Sequence, residues 1–309
     1  MDQTKGILVY GASPTESRIL SEVFERLRIP ANYIREEASS SSASLAEGYS
    51  CISVSHRAVL NRALLRLLKD AGVRCIITRS VGTDHIDISA ADDLGIVVSA
   101  SSYSPGSVAD YTLMLMLLAL RSAPRLLRSA KTGIWHTPSC GRELGDMTVG
   151  IVGPGNIGKA VIERLRGFGC KIKVCARTCS KETSTLSELL TDCDILTLHV
   201  PLTRETEHLI GQEEIEMMKD DAIIINTGRG ALIDTPALLM ALRERRLGAA
   251  ALDVIEGETS GAFLNDLATT PNIIATPHEA YFTEHALFDI ASSTAKRYSE
   301  FERSCKQNG

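Results

Sequence analysis

Arg229, Glu258 and His278 follow three short apolar runs, Ala222 to Ile225, Ala249 to Leu252 and Ile273 to Ala275. Their types suit one reaction. An arginine offers a planar, permanently charged fork that can grip a carboxylate through two N–H groups. A histidine exchanges protons near neutral pH, and a carboxyl group beside it holds the ring. Reduction of a 2-oxo acid needs both, together with a hydride donor. Each residue also has a plainer reading: a loop arginine, a solvated acid and a packed histidine. Their order after a glycine-rich loop joins them.

That loop is Gly153-Pro154-Gly155-Asn156-Ile157-Gly158, after the apolar run Val149 to Val152 and before the helical pattern Lys159 to Arg166. Between strand and helix, the first glycine permits a tight turn and the second lets backbone approach a pyrophosphate. The third lets the helix pack close to the strand, and the helix N-terminus offers N–H groups to the phosphates. A bound dinucleotide is expected. The loop lies mid-chain, so about half of the 309 residues precede it and serve another purpose.

The elements that must carry these residues alternate. Strand patterns at Ile7 to Tyr10, Cys51 to Val54, Cys75 to Thr78 and Ile96 to Val98 are interleaved with helical ones, including Ala58 to Ala71. Ser13-Pro14-Thr15-Glu16 reads as a helix start with an N-cap, a proline at N1 and an acid at N3. The serine-rich stretch Ala38 to Ala43 reads as a surface loop. From Thr148 onward, apolar runs at Thr148 to Val152, Lys171 to Ala176, Ile195 to Val200 and the three named above alternate with helices. Continuous apolar strands between helices mean a parallel sheet covered on both faces. Ligands of such sheets bind beyond the carboxyl ends of the strands. Those ends hold Gly153, Arg177, His199-Val200-Pro201, Asn226 to Gly230, Asp253 and His278, nearly every polar residue suited to chemistry.

Composition sets outer bounds. A net charge of −5 without a dense basic run argues against a nucleic-acid surface. The eight cysteines include no CxxC pair, and the spacing of Cys170, Cys175 and Cys179 suits no zinc motif. No metal is expected, and the thiols read as reduced ones of a cytoplasmic protein. The N-terminus lacks the apolar stretch of a signal peptide. Tyr111 to Leu120 is too short to span a bilayer, so the apolar helix Val108 to Leu120 is expected to be buried in the fold or against another subunit.

The chain resembles the D-isomer-specific 2-hydroxyacid dehydrogenase family. The matching segments are Asp146 to Gly153, Leu198 to Thr203, Ile225 to Gly230, Ala251 to Val254 with Glu258, and Thr276 to His278. Within that family it is most similar to the D-lactate dehydrogenases of the vancomycin-resistance type, through Arg79 to Asp87, Tyr103 to Pro105, Ala109 to Thr112 and Glu163 to Gly169. The resemblance implies two doubly wound α/β domains. A Rossmann cofactor domain, 104–279, is inserted in a flavodoxin-like substrate domain built from 1–103 and 280–309. It implies that Arg229 binds the substrate carboxylate and carbonyl, that His278 is the acid/base and that Glu258 is its partner. Arg79, Val81, Gly82 and Tyr103 are implied around the substrate. Gly153, Gly155, Asn156, Ile157, Gly158, Arg177, His199, Val200, Pro201, Thr206, Thr227, Gly228 and Asp253 are implied around the cofactor. It further implies a reaction in the cleft between the domains and a homodimer through the helix Val108 to Leu120.

Two departures from the family bear on specificity. NAD-preferring relatives carry an acid at the end of the second strand of the cofactor domain. This chain has Arg177, followed by Thr178 and Ser180-Lys181, which favours a 2′-phosphate and so NADPH alongside NADH. The segment Gly257 to Asn272 is short, and Glu279 replaces a small hydroxyl residue. Pyruvate is the first expected substrate, giving D-lactate by hydride from a nicotinamide and a proton from His278. A bulkier or more polar 2-oxo acid is the alternative. Trp135 is expected to pack, with His136 unplaced. The rival of another class is a nucleotide sensor of the corepressor kind, without turnover.

Overall fold

The computed structural model describes residues 5–135, 140–177, 183–258 and 260–307. The chain divides into two compact units, Met1–Ser104 with Phe282–Gly309, and Pro105–Tyr281.

The first unit is built on β1 (Ile7–Tyr10), β2 (Ala31–Ile34), β3 (Cys51–Val54), β4 (Cys75–Thr78) and β5 (Val97–Ala100). The order is β2-β1-β3-β4-β5, and every pair is parallel. Helices α1 (Pro14–Arg26), α2 (Arg62–Asp70) and α3 (Ile88–Asp93) make its connections. The start of α1 is the expected one. Ser13 Oγ accepts from Glu16 N–H at 3.2 Å, and Glu16 Oε2 accepts from Ser13 N–H at 2.9 Å. The serine-rich stretch is the expected loop, with Ser40 and Ser41 exposed, but one of its serines turns inward. Ser42 is buried; its hydroxyl donates to Glu37 O and accepts from Ser39 N–H, and its carbonyl accepts from Tyr10 OH.

The second unit opens with α4 (Gly106–Leu120) and α5 (Ala123–Lys131). Its strands are β6 (Thr148–Val152), β7 (Lys171–Cys175), β8 (Ile195–Leu198), β9 (Ile223–Asn226), β10 (Ala249–Leu252) and β11 (Ile273–Ala275). They form one parallel sheet in the order β11-β10-β9-β8-β6-β7. The intervening helices are α6 (Asn156–Arg166), α7 (Leu186–Asp192), α8 (Gln212–Met217), α9 (Thr235–Arg243) and α10 (Leu264–Thr269). Successive strand residues serve opposite faces. Ile195, Ile223, Ile225 and Ala251 join the core of α4 and α6. Leu196, Leu198, Ile224, Ala250 and Leu252 join the core of α7, α8 and α9. At roughly 1.5–3 kcal/mol per buried large aliphatic side chain, these two layers fix the sheet between its helices. The chain ends in α11 (Glu284–Gln307), which belongs to the first unit and packs on α1.

Helix α4 lies against β9, β10 and α6, with Met114 and Leu117 still exposed. Trp135 does not pack as expected; it is 86% exposed. His136, Thr178, Cys179 and Ser180-Lys181 lie outside the described residues.

Candidate active site

The order of the second sheet reverses between β6 and β8, so the loops after these two strands flank a crevice. The glycine loop fills one side, and its three glycines have different reasons to be there. Gly153 has φ +91°, and a Cβ on it would stand 2.7 Å from His199 O and from Val200 Cγ1. A Cβ on Gly158 would stand 2.2 Å from Gly153 O, so this residue sets how closely α6 approaches β6. A Cβ on Gly155 would meet nothing within 4 Å. The middle glycine therefore leaves open space at the N-terminus of α6, where Gly155 is the cap and Asn156 is exposed. A diphosphate fits that cradle, where backbone N–H groups and the helix dipole both favour an anion.

On the other side, His199 N–H donates to Val152 O at 2.8 Å, and its Nε2 lies 3.0 Å from Thr197 Oγ1. Burial pulls its pKa down to about 4, so it is neutral at pH 7 and adds no charge to the crevice. Val200 packs on the core, while Pro201 is exposed. Thr206 is turned to its own loop: its hydroxyl accepts from Thr203 N–H at 2.8 Å and donates to Pro201 O at 2.7 Å.

Arg229 follows β9 on a loop tied by Asn226. Asn226 is buried; its Nδ2 donates to Arg229 O at 2.8 Å and its Oδ1 accepts from Gly228 N–H at 3.0 Å. Nη1 of Arg229 donates to Gly228 O. Thr227 is anchored to α4. The Thr112 hydroxyl donates to Val108 O, so the hydroxyl of Thr227, 3.0 Å away, donates to Thr112 Oγ1. The glycines that flank Arg229 serve packing. A Cβ on Gly230 would stand 2.1 Å from Ile255 C, and one on Gly228 would stand 3.2 Å from Leu232 Cδ1. They admit protein: Gly230 lets the segment leading to Glu258 lie directly on the Arg229 loop.

His278 follows β11 with a left-handed backbone, φ +59°. Such a conformation costs a non-glycine residue about 1–3 kcal/mol. Asp253, at the end of β10 and 1% exposed, supplies the bonds that offset it. Its carboxylate accepts from Thr276 OH at 2.6 Å, Glu279 N–H at 3.0 Å and Ala280 N–H at 2.8 Å. Its carbonyl accepts from His278 N–H at 2.8 Å. Bonds to a charged group contribute roughly 1.5–3 kcal/mol each, so the network outweighs the strain. The resemblance assigned Asp253 to the cofactor; the structure spends its carboxylate on building the His278 loop. Glu258 Oε1 lies 2.7 Å from His278 Nδ1. Because the carboxylate accepts, Nδ1 carries the hydrogen and Nε2 is the nitrogen that exchanges a proton. Tyr281 meets the imidazole edge-on, with ring centroids 6.4 Å apart. Arg229, Glu258 and His278 thus stand beyond the carboxyl ends of three adjacent strands. Thr276 and Tyr281 are the residues that the sequence reading missed, although Thr276 lies in a segment that carried the resemblance; Asn226 stood among the strand-end residues, and the structure makes it the tie of the Arg229 loop.

Arg177 is exposed just beyond β7. A hydrogen bond from Thr203, then its own backbone N–H, then the charges of Arg177 and Arg204 hold the Glu205 carboxyl below its ordinary range. Both arginines thus lie within electrostatic reach of Glu205.

Within the first unit, Val81 is exposed and Tyr103 half-buried. Ser80 OH donates to Gly82 O at 2.7 Å, shaping the turn after β4. Arg79 is a correction. It is 3% exposed; its guanidinium donates to Tyr10 O at 2.8 Å and Ser53 Oγ at 3.2 Å and stands 3.6 Å from Glu16 Oε1. These partners make it an internal brace of the first unit, since a substrate carboxylate needs a guanidinium that solvent can reach.

Comparison with known proteins gives the same direction. A model of the D-isomer specific 2-hydroxyacid dehydrogenase NAD binding domain matches residues 113–280. A D-specific alpha-keto acid dehydrogenase of Enterococcus faecium is 46% identical, over 96% of this chain and 97% of the relative. An aromatic 2-oxoacid reductase of Clostridium sporogenes is 35% identical, over 96% of both chains. The crystal structure of a D-lactate dehydrogenase from Aquifex aeolicus, complexed with NAD and lactic acid, superposes with a TM-score of 0.85 at 30% identity, covering 96% of each chain.

Proposed function

The chain belongs to the D-isomer-specific 2-hydroxyacid dehydrogenase family, and on that premise we propose that it reduces pyruvate to D-lactate with NADPH at least as good a donor as NADH. Its class of activity is that of a D-2-hydroxyacid dehydrogenase, an oxidoreductase that uses a nicotinamide cofactor and reduces small 2-oxo acids. The nicotinamide supplies the hydride when bound. The protein's own residues do the rest.

The observation that carries the reading is the 2.7 Å contact between Glu258 and His278, on strand ends adjacent to that of Arg229. Arg229 grips the carboxylate of the 2-oxo acid with its fork and fixes the carbonyl. His278, held by Glu258 through Nδ1, donates from Nε2 to the oxygen on which negative charge develops. Gly153 to Gly158 hold the pyrophosphate, and Thr227 and the His199 to Pro201 segment border the nicotinamide side. Val81, Gly82 and Tyr103 are proposed substrate contacts; Arg79 is no longer among them. A bulkier 2-oxo acid is the second reading, favoured by the short Gly257 to Asn272 segment and by the name of the Clostridium relative.

The NADPH proposal rests on Arg177. A charge-assisted bond to a 2′-phosphate contributes roughly 1.5–3 kcal/mol, about ten- to a hundredfold in affinity. Arg177→Asp is expected to lower the NADPH-to-NADH ratio of kcat/KM by about tenfold or more. An unchanged ratio would sink the idea.

We also propose a homodimer through α4, whose Met114 and Leu117 are exposed, as is Leu127 of the following helix α5. Sedimentation equilibrium should give about twice 33.4 kDa; the mass of one chain would overturn it. Among the described residues no helix is long and apolar enough to cross a membrane. The cytoplasm is the proposed compartment, on the reduced-thiol reading of the cysteines.

A further inference from the structure

Two residues upstream of Glu258, Glu256 meets a histidine that the reaction has not used. His208 Nε2 lies 3.0 Å from Glu256 Oε1, and its Nδ1 lies 4.0 Å from Asp234 Oδ2. The backbone of His208 is left-handed, φ +50°, a conformation that a non-glycine residue keeps only where its surroundings fix it. The surroundings are the two loops of the site. His208 N–H donates to Ala231 O at 2.8 Å, Ile210 N–H to Leu232 O, and Asp234 N–H back to Ile210 O, so the 208–210 segment is laced to the turn that follows Arg229. Its ring reaches across to the segment before Glu258. That segment is a tight turn, closed by Glu258 N–H donating to Ile255 O, and its backbone rests against Gly230.

We propose that His208 is a positioning residue for the reaction: its bridge to Glu256 fixes the Ile255–Glu258 turn from which Glu258 reaches His278. The inference rests on Glu258 and His278 being the working pair. It gives that pair a support that spans the Arg229 loop as well, so one contact keeps both halves of the site in register.

The bridge is sensitive to pH. Three carboxylates face His208: Glu256 from the Ile255–Glu258 turn, Asp234 from the start of α9, and Glu207 beside it in the chain. The hydrogen bond to Glu256 and the charges of Glu256, Asp234 and Glu207 raise its pKa above the ordinary value of 6.5, against some desolvation. The bridge is therefore charged in full below pH 6.5, and its ionic part is lost as pH rises through the raised value.

The test is kcat from pH 6 to pH 9 for wild type, His208→Gln, Glu256→Gln, the double variant and His278→Gln, using the fastest 2-oxo acid from a substrate panel, with NADH affinity measured in parallel. Each of the two clamp variants is expected to fall roughly three- to tenfold below wild type at pH 6 and to converge on it by pH 9. The double variant should be no worse than either single one, and NADH affinity should be unchanged. A wild-type-to-variant ratio that is flat with pH, or additive losses in the double variant, overturns the clamp. A stability defect alone would give that flat ratio. If His278→Gln keeps wild-type rates, the underlying reading fails instead; if it loses them while the ratio stays flat, only the clamp fails.

Discussion

His278→Gln is expected to lower kcat by about 10²- to 10⁴-fold, the usual contribution of a positioned acid/base. Glutamine keeps a hydrogen-bonding side chain of similar reach but cannot give up a proton at neutral pH. Little else in the loop should change. The His278 backbone N–H still donates to Asp253 O, and the Asp253 carboxylate still holds Thr276, Glu279 and Ala280. The loss should therefore fall on kcat, with cofactor affinity within a few-fold of wild type. Stopped-flow reduction with NADPH or NADH, beside a cofactor titration, measures both. A kcat within threefold of wild type would remove His278 from the reaction.

Arg229→Lys should reduce kcat/KM by on the order of 10²-fold or more, although the charge is kept. Lysine is a point charge on a flexible stem and cannot present two parallel N–H groups to a carboxylate. Truncating one partner of a desolvated charge pair costs roughly 2–5 kcal/mol. The loop itself should survive the change, because Asn226 holds it through the backbone of Arg229 and Gly228. The substitution thus tests the guanidinium rather than the fold. Steady-state rates over a range of 2-oxo acid concentrations decide it; a lysine variant within threefold of wild type in kcat/KM would mean that Arg229 does not grip the substrate.

Much of the fold was legible because parallel strands buried on both faces read as apolar runs. β1, β3 and β4 begin and end where those runs do. β2 (Ala31–Ile34) was missed for the opposite reason. It is an edge strand, partly exposed, with Asn32 and Tyr33 in a run that follows Pro30. α11 was missed because half of its buried stripe is Ala286, Ala291, Thr294 and Ala295, which dilute the helical spacing of Leu287, Ile290, Tyr298 and Phe301.

In the site, the legible part was residue type at a strand end. Arg229 and His278 stand out because a charged or titratable group follows an apolar run. What could not be read was where a side chain turns. Arg79 has the same local signature as Arg229, one residue beyond β4. Yet Tyr10 O, Ser53 Oγ and Glu16, distant in sequence, draw it inward. Asp253 likewise looks like a ligand-facing acid until the N–H groups of residues 279 and 280 are seen to converge on it. Long-range hydrogen bonds of this kind leave no local pattern.

The central claim is most directly tested by initial rates of NADPH and NADH oxidation with pyruvate and a panel of larger 2-oxo acids, with chiral analysis of the product. The expected result is the highest kcat/KM for pyruvate, D-lactate as the only enantiomer, and NADPH at least equal to NADH. Tight cofactor binding with no turnover of any 2-oxo acid, or a rate with pyruvate far below that with a bulkier acid, would contradict it.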